Sequence, residues 1–314
     1  MAAFPSKPRT ILLIIDPQND FHEGGSLAVT GADADSARLS KLLAENMHII
    51  DHIYVTLDSH YKLHIAHGAF WQDEDGKSPA AFTVITHKNL VDGLWRPRKA
   101  ALLEYCKWYT AELERLGHFN LVIWPDHCLI GSTGHAIKDN LFSAIQQWSG
   151  ERQRDFVCIN KGMNCFTEMY SAIAAEVPID EAACAYLEGI GARSLDMEED
   201  RQTTRAGNAH YVDKFLAGDR LLVCGQALSH CVNFTLRDII KDRPAEELHK
   251  IVLLIDGSSP VTTFEELATT FVADMTAAGV SILTCSLASV AVVCVAASPS
   301  AATAVSVGAP SSSC

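Results

Sequence analysis

Short β-rich runs recur along the chain, and helical patterns fill the intervals between them. The runs are Ile11–Ile15, Ile53–Leu57, Asn120–Trp124, Asp155–Asn160, Arg220–Gly225, Lys250–Ile255 and Gly279–Leu283. The helical patterns fall at about Asp33–Ile50, Arg98–Leu116, Phe166–Val177, Ala209–Leu216, Ser229–Lys241 and Thr263–Ala278. Strands this short and this apolar are buried on both faces. Alternating with helices, they predict an α/β three-layer sandwich, a mainly parallel sheet with helices on both faces. The last helix is expected to open on a capping box, Thr262-Thr263-Phe264-Glu265.

In an open parallel sheet, sites form outside the carboxyl ends of the strands. Those ends carry chemistry here. The Arg220–Gly225 run passes through a small-residue turn and delivers Cys231 to the first turn of a helix. A thiol there feels the helix dipole and unpaired backbone N–H groups, which lower its pKa. The ordinary reading of a lone cysteine is a core residue. Its neighbours weigh against that reading. Asp16 follows the first strand and reads either as a loop-bracing carboxylate or as a general base for Cys231. Lys161 leaves the fourth run and either snorkels to solvent or stabilises a thiolate and an oxyanion.

Asp58 and His60 are two apart at a strand end and project the same way. With His127, which follows the Asn120–Trp124 run, they could hold one divalent ion, Zn²⁺, Fe²⁺ or Mn²⁺. A bare Asp-x-His is also a common surface hydrogen-bond pair. His64 and His67 are weaker candidates for the same ion and read first as loop or lid residues. Phe21, Trp71 and Trp124 lie next to these positions. Core packing is the default for each, and together they could sandwich a flat ring.

Two stretches break the rhythm. Residues 65–97 read as an insertion or lid beside the first strand ends. From Ser286 the chain turns to Ala, Val and Ser, so 286–314 reads as a poorly ordered tail, and 8–285 as the folded domain. The 314 residues are 48% hydrophobic, enough for a sizeable core, and the net charge of −13 argues against nucleic acid and anionic membranes. The N-terminus lacks the apolar region of a signal peptide. Several of the ten cysteines sit in apolar runs and none forms a CxxC pair, which predicts free thiols and a cytoplasmic location.

Taken together, the motifs resemble the isochorismatase-like cysteine hydrolases, nicotinamidases among them. The matching pieces are Asp16-Pro17-Gln18-Asn19-Asp20-Phe21, Asp58-Ser59-His60, Trp124-Pro125-Asp126-His127-Cys128, Lys161-Gly162, Glu168-Met169-Tyr170-Ser171-Ala172, and Gly225 through Cys231-Val232. They come in the family's order. The resemblance implies a six-stranded parallel sheet. It implies a catalytic triad of Asp16, Lys161 and Cys231, and a divalent metal, Zn²⁺ first, on Asp58, His60 and His127. It further implies that Phe21 and Trp124 pack on a pyridine ring. A cis peptide at Gln226–Ala227 is implied as well, with the Ala227 and Cys231 N–H groups forming an oxyanion hole. His230 departs from the acidic or tyrosine residue many nicotinamidases have before the cysteine, which makes it a candidate specificity or proton-relay residue. The span from Asp58 to His127 is longer than in compact members.

The expected activity is hydrolysis of a small-molecule amide through a thioester, nicotinamide first, which would place the protein in NAD salvage. Another amide or carbamoyl substrate, or an idle scaffold of the same fold, stays open. So does assembly into a homo-oligomer. No nucleic-acid or membrane partner is expected.

Overall fold

A computed structural model of the chain describes residues 9–192 and 208–288. Its centre is a six-stranded, all-parallel sheet. In chain order the strands are β1 (Thr10–Ile15), β2 (Ile50–Asp58), β3 (Val157–Lys161), β4 (Arg220–Gly225), β5 (Ile251–Leu254) and β6 (Ser281–Leu283). Across the sheet the order is β6-β5-β4-β1-β2-β3. The chain therefore builds outward from β1 through β2 to β3. It then crosses to the other side of β1 and builds outward again from β4. The reversal lies between β1 and β4, where Ile15 pairs with Gly225. Two adjacent strands whose connections leave in opposite directions open a crevice at their carboxyl ends.

Strand side chains alternate between two helical layers. Leu12, Ile14, Ile53, Val55, Leu222 and Leu254 pack against Leu39, Leu42 and Leu43 of α1 (Ala32–Asn46) and Leu141, Ile145 and Trp148 of α3 (Asp139–Arg152). Ile11, Leu13, Leu221, Val223 and Leu253 face α5 (His210–Leu216), α6 (Cys231–Ile240) and α7 (Glu265–Ala278). Each such Leu or Ile, fully buried, contributes about 1.5–3 kcal/mol relative to exposure. The three-layer arrangement expected from the alternation is present.

Several expectations need correction. The Asn120–Trp124 run does not enter the main sheet. Only Leu121–Val122 is a strand, and it pairs antiparallel with Val84–Ile85 in a separate ribbon. The Phe166–Val177 segment is not a helix. Every residue from 164 to 173 is buried, so there is no polar face for a surface helix to present. Its backbone is satisfied from outside, with Ala172 N–H donating to Thr235 Oγ1 and Glu176 N–H to the Glu168 carbonyl. The capping box does not form either. Phe264 is the N-cap of α7 without a side-chain bond, and Glu265 accepts from the Thr263 N–H instead.

Beyond the carboxyl edge of β1 and β2 lies a third apolar cluster. Ile65, Phe70, Trp71, Ile85 and Leu90 pack there with Tyr105, Tyr109 and Leu113 of α2 (Leu103–Leu116) and with Leu187 of α4 (Glu181–Gly189). Residues 65–97 are thus anchored by their own core. No disulfide joins the described cysteines. Cys285 and Ala288 are buried in the α1 layer, so the fold runs to residue 288. The rest of the expected tail, from 289, lies outside the described residues. No described helix is long and apolar enough to cross a membrane.

Candidate active site

Four side chains meet at the crevice. Asp16 follows β1, Asp58 ends β2, Lys161 ends β3, and Cys231 opens α6 after β4. Asp58 and Lys161 are register partners across the sheet. The lysine side chain crosses over Asp58 toward the centre. Its Nζ lies 2.9 Å from Asp58 Oδ1, 3.0 Å from Asp16 Oδ2, 3.1 Å from the Met169 carbonyl and 3.5 Å from Cys231 Sγ. All four side chains are buried. Removing a lone charge from water this far would cost several kcal/mol, so one ammonium between two carboxylates is the arrangement burial demands.

Asp16 is held rigidly. Its backbone N–H donates to the Thr56 carbonyl at 3.1 Å and its Oδ1 accepts from Thr56 Oγ1 at 2.5 Å. Burial pushes the Asp16 carboxyl above its usual range, while the Lys161 charge pulls it back. Burial likewise pushes the Cys231 thiol well up, against the pull of Lys161, and the Asp16 and Asp58 charges add to the rise. This corrects the expectation of a thiol lowered by its helix N-terminus. Desolvation outweighs the dipole.

The loop before Cys231 is pinned from both sides. Gln226 N–H donates to the Ile15 carbonyl, its Nε2 donates to Asp35 Oδ2 at 2.8 Å, and its Oε1 accepts from Ser259 N–H. The Gln226–Ala227 bond is cis. The His230 and Val232 N–H groups both donate to the Ala227 carbonyl. The N–H groups of Ala227 and Cys231 themselves make no hydrogen bond within the described residues.

Beside Lys161 is a cluster of imidazoles. Asp58 Oδ2 lies 3.1 Å from both His60 Nε2 and His127 Nε2. His60 Nδ1 sits 3.0 Å from the Gly162 carbonyl and His127 Nδ1 2.9 Å from the Pro125 carbonyl. The backbone carbonyls on the Nδ1 atoms orient both rings so that their Nε2 atoms and Asp58 Oδ2 face one another. His67 joins them, with the ligand atoms of His60, His67 and His127 all within 4.8 Å of one another. His67 is fully buried and its Nε2 has no hydrogen-bond partner. Burial holds it down to about 3, so it is a neutral ligand-type imidazole. Atoms bound to one tetrahedral Zn²⁺ at about 2.0–2.2 Å lie about 3.3 Å apart. The donor set and the orphaned His67 nitrogen fit a divalent metal, and the ligand atoms would draw closer together around one. His67 was expected to be a lid residue. The apolar Ile65-Ala66 before it is the signal that it turns inward. His64 is buried next to His60, with ring centroids 4.4 Å apart.

His127 arrives by an unexpected route. Its segment is held by two bridges, His60 with Leu129 and His67 with Trp124, and by Asp20 Oδ2, which accepts the Cys128 N–H at 2.6 Å. Gln18 braces Asp58 by accepting its N–H and donating to its carbonyl, both at 2.7 Å. Gly162 is required beneath the cluster. Its φ is +74°, and a Cβ there would stand 2.7 Å from His60 Cε1.

Several of these groups floor a small cavity of about 30 Å³. Phe21, Trp124 and Tyr170 form apolar walls, and His230 closes one side next to Cys231. Phe21, Trp124 and His230 thus line one cavity. Trp71 does not. It is buried in the third cluster, donating Nε1–H to the Ile65 carbonyl. Glu168 also lines the cavity, its carboxyl pushed up by burial and its Oε2 unpaired.

No family model matches the sequence, and no curated relative matches it. Solved structures do. A nicotinamidase/pyrazinamidase from Acinetobacter baumanii superposes with a TM-score of 0.55 at 19% identity, covering 89% of this chain and 97% of its own. The yeast nicotinamidase bound to the inhibitor nicotinaldehyde gives 0.53 at 19% identity, covering 88% of this chain and 99% of its own. At these identities the fold is what is shared. The chain has the isochorismatase-like fold of these nicotinamidases.

Proposed function

We propose that the protein is an amidohydrolase that works through a thioester on Cys231, with nicotinamide as the leading substrate. The observation that carries this reading is the convergence of Asp16, Lys161 and Cys231 at the β1/β4 crevice. A scaffold of this fold has no use for a buried lysine held between two carboxylates and against a thiol.

The chemistry follows from the positions. Asp16 takes the Cys231 proton, and the thiolate attacks the carboxamide carbon, forming the C–S bond. The Ala227 and Cys231 N–H groups receive the oxyanion. Lys161 offsets the negative charge that passes between sulfur, carboxylate and oxygen. Collapse breaks the C–N bond, and the proton held on Asp16 leaves with the nitrogen as ammonia. Water then adds to the thioester and gives a proton to Asp16. The C–S bond breaks, the acid departs, and the thiol regains its proton from Asp16.

Asp58, His60, His127 and His67 would hold a divalent metal, Zn²⁺ first by donor set. When bound, it supplies an electrophilic anchor for a pyridine nitrogen. Phe21 and Trp124 would pack on the ring and keep water from its faces. Ammonia release assayed against nicotinamide, pyrazinamide and a small panel of aliphatic amides and carbamoyl compounds tests the reading. Release from nicotinamide that is lost in Cys231→Ala supports it. Release from none of them by the metal-loaded protein would leave the scaffold reading standing.

A further inference from the structure

A second, wider cavity opens on the far side of His230. It measures about 550 Å³ against about 30 Å³ for the inner cavity, and among the described residues His230 is the one side chain that lines both. Its walls are Phe82, Val84, Phe119, Val122 and Phe264. Phe82 is 53% exposed and Val84 47% exposed, so the groove presents apolar surface to solvent. Exposed aromatic surface that meets the inner cavity at a single shared side chain marks a place for more of the ligand.

His230 sits at the junction in a fixed orientation. Phe119, Trp124, Tyr170 and Phe264 surround it with ring centroids 4.7–5.8 Å away. Its Nδ1 lies 2.9 Å from Ser229 Oγ. That oxygen accepts the Val261 N–H at 3.0 Å, and among the described residues Nδ1 is the acceptor within reach of its own proton, which assigns the O–H as donor to Nδ1. The ring proton is then on Nε2. Nε2 is buried and has no partner, and the side chain is only 3% exposed. Burial holds the ring neutral, down to about 3. A buried N–H without an acceptor costs about 1–3 kcal/mol and calls for an explanation. A bound ligand that brings the acceptor supplies one.

Resting on the amidase reading, we infer that the substrate is a ring carboxamide carrying an apolar arm with a hydrogen-bond acceptor at its base. The carboxamide end enters the inner cavity toward Cys231, the acceptor meets His230 Nε2–H, and the arm lies in the outer groove. His230 is then a specificity residue. This gives a reason for imidazole at a position where the family resemblance led us to expect an acidic or tyrosine side chain.

The test compares ammonia release from nicotinamide with release from its 5- and 6-benzyloxy derivatives, whose ether oxygen and phenyl ring supply acceptor and arm. The expected result is a kcat/KM for at least one derivative about tenfold above that of nicotinamide. Val84→Trp, at an exposed position, fills the groove and should bring that ratio to about one or below. His230→Phe keeps the ring and removes the donor, and should lower the ratio as well. If nicotinamide is turned over but neither derivative exceeds it, the inference is overturned and the amidase reading stands. A preference that survives Val84→Trp also overturns it. Ammonia from none of the three overturns both.

Discussion

The Lys161 ammonium lies 3.5 Å from the Cys231 sulfur while touching the carboxylates of Asp16 and Asp58. One buried cation thus compensates the proposed base, a proposed metal ligand and the nascent thiolate. Its own pKa reflects the contest. Burial works against the charge, but Asp16 and Asp58 together hold it well above the usual lysine value.

Removing that cation should hurt the fold as well as the chemistry. Lys161→Met leaves two buried carboxylates without their partner. Breaking a buried ion pair from one side costs about 3–5 kcal/mol. Urea unfolding of the variant should show a loss of that size, and ammonia release should vanish. A variant as stable as the parent would mean that the cluster is better hydrated than its burial indicates.

Gln18 should matter to the metal without touching it. It fixes Asp58 through both backbone polar groups. Such outer partners typically alter metal affinity by 10–100-fold. Gln18→Ala should therefore weaken Zn²⁺ binding by about that factor, read by competition with a chromophoric chelator. Unchanged affinity would show that Asp58 is placed by the sheet alone.

Gly162→Ala makes a sharper local test. The new methyl group meets His60, and the backbone conformation disfavours any side chain. Stability should fall by more than about 1 kcal/mol, and Zn²⁺ binding should weaken. A neutral result would mean that the His60 ring shifts freely.

One pH effect lies away from the cluster. His118 Nδ1 is 2.9 Å from Glu176 Oε2. Donation to the Glu176 carboxylate raises His118 above its usual 6.5, and burial raises Glu176. Both groups hold protons more tightly folded than unfolded. The His118 part of the stabilisation is present below about pH 6.5 and is lost as pH rises through its raised value, whereas the Glu176 part is already being lost above its ordinary value of 4.5. The urea midpoint should fall across that window, and His118→Gln should flatten the fall. An identical slope in the variant would assign the effect elsewhere.

Much of the sheet was readable because parallel strands buried on both faces are continuous apolar runs. Ile11–Ile15 and Arg220–Gly225 are examples. The same signal misplaced Asn120–Trp124, because an apolar run reports burial and not which strand it pairs with. The Phe166–Val177 segment misled for a related reason. Helical spacing assumes one solvent face, and this segment has none.

The helix Asp139–Arg152 carried a signal that went unread, in the spacing of Leu141, Ile145 and Trp148. At the site, Asp16, Asp58, His60, His127, Lys161 and Cys231 could be named from strand ends and motif order. What holds them could not. Gln226 reaches Asp35 across 191 positions, and Gln18 reaches Asp58 across 40. Side-chain bonds to distant partners leave no local pattern.

The most direct measurement is ammonia release by Cys231→Ala, metal-loaded and shown by circular dichroism to be folded, beside the parent protein on nicotinamide and its benzyloxy derivatives. The expected result is a drop of about 10⁴-fold or more in kcat with the fold and Zn²⁺ content retained. Turnover within about tenfold of the parent would contradict the thioester, and with it the role given to Cys231.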